Sequence, residues 1–245
     1  MEISGRNTKH RGWVKRMKSV SVIVPNHNRD ITKIKEALPT WVEFIEVNLG
    51  LERSKQRNIG IEQARGKYIL YLDSDQIPSF GLIDECWYLG ESGFTAIYIP
   101  EVITTKGFFG YLRNWERQFY TATPIDCVRF IRKDACPLFD ENLSGPEDSC
   151  HDRRVKGLRT TTTKVLYHAD NETFLSYLRK KAYYTKSMKA FDKKYPNDKC
   201  LNFWWRCFGV YFEKSKWKKV LQRPDLFVCL MGLVFLRGII YVTKR

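Results

Sequence analysis

The stretch Tyr68-Ile69-Leu70-Tyr71-Leu72-Asp73-Ser74-Asp75 constrains this chain more than any other. Its apolar run reads as a buried strand. The run leads straight into two carboxylates separated by one serine. A buried strand that ends this way delivers two hard oxygen donors to the rim of a sheet. Hard carboxylates suit Mg²⁺ or Mn²⁺, ions that commonly hold a substrate diphosphate. The same pair can equally cap the helix or turn that follows.

The surrounding sequence repeats the strand-then-helix pattern. Val20-Ser21-Val22-Ile23-Val24 is apolar and is ended by Pro25, which reads as a first strand. Pro25-Asn26-His27-Asn28 is turn chemistry, with Asp30 as the N-cap of a helix over 31–38. A second strand is expected over 42–47 and a helix from Ser54 to Gln63 or Ala64, ended before Gly66. Alternation of this kind predicts an α/β fold with a mainly parallel central sheet flanked by helices. Ligands on such sheets bind outside the carboxyl ends of the strands. The Pro25-Asn26 turn and Asp73-Ser74-Asp75 therefore face one crevice.

Further strands are expected over 95–99, at Phe130-Ile131 and at Val165-Leu166-Tyr167, and an aromatic helix over 108–120. A long basic helix over 174–195 is stopped by Pro196. The tail changes character. Residues 201–212 are rich in Trp, Phe and Tyr, a basic run follows (Lys214, Lys216, Lys218, Lys219, Arg223), and 226–242 is apolar except for Arg237. That last segment is slightly short for a comfortable bilayer span. It reads as a membrane-associating helix, either lying in the interface with Trp204, Trp205 and Trp217 at headgroup level or crossing, and a core helix is the third possibility.

The chain of 245 residues has a formal net charge of +15, which asks for an anionic partner: nucleic acid, an anionic membrane or a phosphorylated substrate. Seven cysteines without a Cys-x-x-Cys, and no apolar leader after the basic residues 1–19, suggest reduced thiols in a cytosolic setting. The absence of finger-like His/Cys spacing argues against zinc.

The motifs now fall in an order. Ser21-Val22-Ile23-Val24-Pro25-Asn26-His27-Asn28 comes first, then Arg57-Asn58-Ile59-Gly60, then Ala64-Arg65-Gly66-Lys67 leading into the Asp73-Ser74-Asp75 strand. Gly145-Pro146-Glu147-Asp148, read as a Gly-Pro loop with Arg154 beyond it, and Tyr167-His168-Ala169-Asp170 follow. This series resembles the family 2 glycosyltransferases with a GT-A fold, over about residues 19–195. Lys180-Lys181-Ala182-Tyr183-Tyr184-Thr185-Lys186-Ser187 looks like the basic-aromatic helix of short, membrane-associated members, some of which act on polyprenyl-linked sugars.

The resemblance implies roles. Asp73 and Asp75, with His168 as a late contact, would hold Mg²⁺ or Mn²⁺ against the diphosphate of a UDP- or GDP-linked sugar. Asp148 would be the base of an inverting transfer, and Glu147 would orient a substrate, with Arg154 near them. Pro25, Asn26, Asn28 and Arg57 would line the nucleotide pocket. Lys181, Tyr184 and Lys186 would hold a diphosphate or the phosphate of a lipid-linked acceptor. Residues 1–19 then form a basic arm, 20–196 the catalytic domain and 197–245 a membrane-associating region on the cytoplasmic face. The chain departs from the family after the second strand: Phe44-Ile45-Glu46-Val47-Asn48-Leu49-Gly50 stands where many members carry an acidic nucleotide-reading turn.

Two rivals are weighed. A sugar-nucleotide nucleotidyltransferase would carry a glycine-rich phosphate loop after the first strand, which Pro25-Asn26-His27-Asn28 is not. A basic nucleic-acid-binding protein would explain the charge but leave the carboxylates idle, and no nucleic-acid motif is present, so no nucleic-acid partner is expected.

Overall fold

A computed structural model describes residues 18–50, 52–169, 172–185 and 187–244. Most of the basic arm, and Lys186, lie outside the described residues. The chain runs β1 (Val20–Pro25), α1 (Thr32–Ala37), β2 (Glu43–Val47), α2 (Arg53–Gln63), β3 (Tyr68–Tyr71), β4 (Gln76–Pro78), α3 (Leu82–Glu91), β5 (Ala96–Tyr98), β6 (Glu101–Ile103) and α4 (Gly107–Arg117). It continues through β7 (Phe130–Arg132), α5 (Glu147–Arg154), β8 (Arg159–Thr161), β9 (Leu166–His168), α6 (Phe174–Thr185) and α7 (Met188–Lys194). Short α8 (Val210–Phe212), α9 (Trp217–Gln222) and the long α10 (Pro224–Lys244) complete it.

A six-stranded sheet ordered β2-β1-β3-β7-β5-β8 forms the centre, and β4-β9-β6 form a small second sheet. The period-2 alternation of the strands splits their side chains between two cores. Val20, Val22, Val24, Leu70 and Phe130 face Ile34 of α1 and Leu82, Ile83 and Cys86 of α3. Ile23, Ile69, Tyr71 and Ile131 face Ile61 of α2. Gly60 lets α2 close on the sheet, since a Cβ there would lie 2.3 Å from Ile23 Cγ2.

The central sheet is mainly parallel, as expected, with β7 as its one reversed strand. β1 pairs parallel with β2 and β3, and β5 with β8, but β7 runs antiparallel to both β3 and β5. It returns between them as an inserted strand. Three smaller expectations change. The N-cap of α1 is Ile31 with no side-chain cap, Asp30 instead accepting from the Thr32 N–H at 2.9 Å. Glu147 and Asp148 form the first turn of α5, not a loop. The single helix over 174–195 is two, α6 and α7. Between them Ser187 Oγ accepts from Ser144 N, while Phe191 buries against Leu143, Cys150 and Cys200.

The tail is packed on one side. Leu226, Leu230 and Leu233 of α10, one helical stripe, enter a core with Leu112 and Trp115 of α4, Tyr177 of α6 and Tyr211 of α8. Residues on both sides of position 196 thus share this core. The other side of α10 exposes Val228, Phe235, Ile239 and Val242.

Candidate active site

β1 and β3 run parallel, so their carboxyl ends lie side by side, and Leu72 N donates to Ile23 O at 2.9 Å. This sets Asn26 and Asp73 on one rim. Because β7 is antiparallel, its start reaches the same rim, and Tyr71 N donates to Arg129 O. The topology thereby brings Arg129 beside Asp73, at 3.7 Å.

Arg57 of α2 is the hub. Its guanidinium has no exposed surface and donates to Asp73 Oδ1 at 2.7 Å and to Asp148 Oδ1 at 2.6 Å. It lies between the Tyr71 and Phe139 rings, 5.1 and 4.9 Å from their centroids. Burial opposes the charge on Arg57, yet Asp148 and Asp73 together hold it firmly protonated. Burial likewise works against ionised Asp73, but Arg57 and then Arg129 pull it well below the carboxylate range.

Asp148 arrives from the other side. Gly145 takes φ +109°, and a Cβ there would lie 2.6 Å from Tyr184 Cβ, so the chain can turn against α6 and start α5 there. Asp148 and Glu147 then occupy the first helical turn, where the helix dipole favours negative charge. Glu147 pairs with Arg53 at 3.2 Å, and Arg53 also donates to Tyr184 Oη at 3.1 Å. Burial, then Asp148, pushes the Glu147 carboxyl upward.

The small sheet supplies the far wall. His168 Nε2 stands 3.4 Å from Asp75 Oδ1 and its Nδ1 3.6 Å from Glu101 Oε2. Burial opposes the imidazolium, but Asp75 and Glu101 raise it to about 9. Glu101 is buried and also pairs with Arg129 at 2.7 Å and Arg117 at 3.2 Å. Arg29 closes the rim on Asp75 Oδ2 at 2.8 Å.

The structure therefore brings Asn26, Arg57, Asp73, Asp75, Glu147, Asp148, Tyr184 and His168 to one crevice, Asn26 and Pro25 at the end of β1. Asn26 Nδ2 donates to Glu46 Oε1 at 2.8 Å, which places a β2 carboxylate beside the turn after β1. Asn28 adopts φ +55° in that turn. Arg154 is directed elsewhere: it donates to the Leu138 carbonyl, and Arg57 takes Asp148 instead. Lys181 turns toward Tyr177, away from the carboxylates. Arg129, Glu101, Arg53 and Arg29 were missed by sequence reasoning. Only Arg129 carried a local signal, as a cation immediately before an expected strand.

Among the described residues no three His, Cys, Asp or Glu side chains are gathered as a metal site. Asp75 Oδ1 is nonetheless buried without a hydrogen-bond partner. Once deprotonated, His168 beside it would complete an oxygen-and-nitrogen pair for a divalent ion such as Mn²⁺, which draws its remaining ligands from water and substrate phosphates. Asp73 is already engaged by Arg57 and Arg129.

No family model and no curated protein matches the chain. Among solved structures, the crystal structure of S. aureus TarS 1-349 aligns over 92% of this chain and 88% of that one, at 15% identity and a TM-score of 0.46. S. aureus TarS 1-349 in complex with UDP-GlcNAc aligns over 89% and 81%, at 14% identity and a TM-score of 0.46. These values describe a loose likeness.

Proposed function

We propose that this chain is an inverting glycosyltransferase of GT-A fold, moving a sugar from a UDP- or GDP-linked donor to a lipid-linked acceptor at the cytoplasmic face of a membrane. The observation that carries the reading is the shared hydrogen bonding of Asp73 and Asp148 to one buried guanidinium, Arg57. It supports a single crevice with a strand-end carboxylate on the donor side and a helix-start carboxylate on the acceptor side. In the reaction, Asp148 takes the proton of the acceptor hydroxyl, the hydroxyl oxygen attacks the anomeric carbon, and the bond to the nucleoside diphosphate breaks opposite it. Arg29 and Arg53, at 59% and 42% side-chain exposure, are the rim cations free to turn toward the diphosphate. Mg²⁺ or Mn²⁺ held by Asp75 and His168, with Asp73 behind them, would supply Lewis-acid stabilisation of the departing diphosphate.

Membrane attachment is supported by α10. Its segment Pro224–Thr243 has a mean hydropathy of 2.2, and only 17% of its most apolar stretch is buried. The buried stripe is committed to the protein, and Arg237 pairs with fully buried Glu116 at 2.7 Å. A crossing helix would drag Glu116 and its neighbouring cations into hydrocarbon, at high cost. We therefore place α10 in the interface, apolar face toward lipid, with Trp204, Phe208 and Trp217 exposed nearby and Lys214, Lys218 and Lys219 at the headgroups.

The test is a thermal-shift panel of nucleoside diphosphates and nucleotide-sugars with and without Mn²⁺. A ligand at a hundred times its dissociation constant stabilises by about 2.7 kcal/mol. One nucleotide class should raise the Tm, more so with Mn²⁺. A flat panel across all nucleoside diphosphates would overturn the reading.

A further inference from the structure

The small second sheet carries a hollow that the transfer crevice does not use. β6 and β9 run parallel, so both strands end on the same side. There, residues 104–110, which lead from β6 into α4, and residues 172–174, which lead into α6, enclose a cavity of about 480 Å³. Ligand sites commonly measure about 300–1,000 Å³. Parallel strands present such sites at their carboxyl ends.

The lining has two characters. Phe108 and Phe174 are 61% and 45% exposed, large aromatic surfaces left open to solvent. Phe109 packs behind Phe174 with its ring centroid 5.5 Å away, edge to face, and is itself backed by Tyr177 at 5.5 Å. Beside these rings stand polar groups: the Lys106 ammonium, the Glu172 carboxylate and the threonines 104, 105 and 173. Lys106 is exposed and has no ion-pair partner among the described residues. Glu172 is held in place by Lys180. Thr105 Oγ1 is buried without a hydrogen-bond partner, although buried hydroxyls ordinarily have one.

The mixture selects among ligands. A hydrocarbon chain would cover the rings but desolvate Lys106 and leave the Thr105 hydroxyl unpaired. A small anion would leave the rings bare and meet the Glu172 carboxylate. A sugar ring has an apolar C–H face to lay on a phenyl ring and an edge of hydroxyls that both donate and accept. It can therefore cover the aromatic wall and pair with an ammonium, a carboxylate and a hydroxyl together.

We propose that this cavity binds a sugar unit of a glycan. It is separated from the crevice by the end of β9. The His168 ring faces Asp75 and Glu101 in the crevice, while the His168 carbonyl accepts from Thr104 N at 3.0 Å and from the Thr104 hydroxyl at 3.3 Å beside the cavity. Ala169 N donates to Asp75 O at 3.0 Å. An acceptor glycan can thus lay one sugar in the crevice and a neighbouring sugar here, held by contacts remote from the reacting bond. Only that use rests on the transfer reading above; sugar binding by the cavity does not.

The experiment is saturation-transfer-difference NMR on the full chain with the methyl glycosides of glucose, galactose, mannose and N-acetylglucosamine, and with geraniol as the apolar probe. At least one glycoside should bind, with saturation passing chiefly to its ring C–H protons. Phe108→Ala should weaken that glycoside about fivefold, and Phe108→Tyr, which keeps the ring, should retain it. Lys106→Met should weaken it about threefold by removing a donor at the sugar edge. Both side chains are exposed, so the Tm should not move. Binding by none of the glycosides overturns the proposal, as does affinity unchanged in both Phe108→Ala and Lys106→Met. Geraniol bound more tightly than every glycoside, and lost in Phe108→Ala, makes the cavity a site for an apolar chain and also overturns it. Loss of nucleoside diphosphate stabilisation in Phe108→Ala would assign the cavity to the donor, with the same consequence. A flat donor panel with intact glycoside binding would sink the transfer reading alone.

Discussion

Two buried charge networks sit in this molecule, and they are built on opposite plans. In the crevice, cations and carboxylates alternate: Arg57 between Asp73 and Asp148, Arg129 and Arg117 on Glu101, His168 between Asp75 and Glu101. Around Tyr177, three cations lie over one ring, and two of them, Arg113 and Arg237, pair with Glu116. The alternating network pairs each carboxylate with a fixed cation and so aims it. The other gathers its cations on one ring and one buried carboxylate and ties α4, α6 and α10 together. Similar residue types thus aim carboxylates in one place and join helices in the other.

The largest effect should come from the acceptor side of the crevice. Asp148→Asn should lower nucleoside diphosphate release during transfer by about 10²–10⁴-fold, the usual contribution of a positioned base. Near-native release with intact donor binding would remove Asp148 from that role. Next, the hubs can be compared directly. Arg57→Met leaves Asp73 and Asp148 without their shared cation, and Glu116→Gln leaves Arg113 and Arg237 without theirs. Each should cost about 3–5 kcal/mol in urea unfolding, as for a buried ion pair broken on one side. A small loss at Arg57 would mean the crevice carboxylates depend on it less than its distances imply.

Acid separates the two regions. His151 stacks on Phe139 at 3.9 Å in the crevice wall, and burial lowers its imidazole from 6.5 to about 4. Between those values the unfolded chain binds a proton that the folded chain refuses, so stability falls as pH falls through that window. At about 1.4 kcal/mol per pH unit, this amounts to about 3 kcal/mol. The difference between wild type and His151→Phe isolates the group, because Asp126, raised to about 6 by burial, acts in the opposite sense in the same range. Glu116 should not respond there, since burial is outweighed by Arg237 and Arg113, which hold it down to about 2. Denaturant midpoints at pH 7 and pH 4.5 read this directly.

The smallest effect concerns the lipid side of the second network. Phe235 is 68% exposed on α10. Phe235→Asp should leave the Tm unchanged while weakening co-sedimentation with phosphatidylglycerol vesicles about tenfold or more, the loss of roughly 1.5–3 kcal/mol of apolar burial. Unaltered vesicle binding would detach the apolar face of α10 from membrane contact.

Much of the sheet was legible beforehand. The apolar runs that became β1 and β3, and the position of Asp73 just past β3, follow from period and turn chemistry alone. The α6–α7 break was not legible, because the Ser144–Ser187 hydrogen bond and the burial of Phe191 are tertiary contacts that no helical periodicity encodes. Glu101 was read as part of no site, since it faces Arg129 and Arg117 only once the second sheet forms.

What the sequence determined by itself was local: which runs must be buried, where strands must stop, and that carboxylates stand at those stops. Local rules of this kind rest on backbone geometry and solvent, so neighbours in sequence suffice to state them. The tertiary structure decided who meets whom. The antiparallel insertion of β7 set Arg129 beside Asp73, and the turn at Gly145 brought Asp148 to Arg57. The docking of α10 on α4 and α6 gathered three cations on Tyr177. Charge pairing across such distances depends on topology, and a chain read residue by residue carries no record of it.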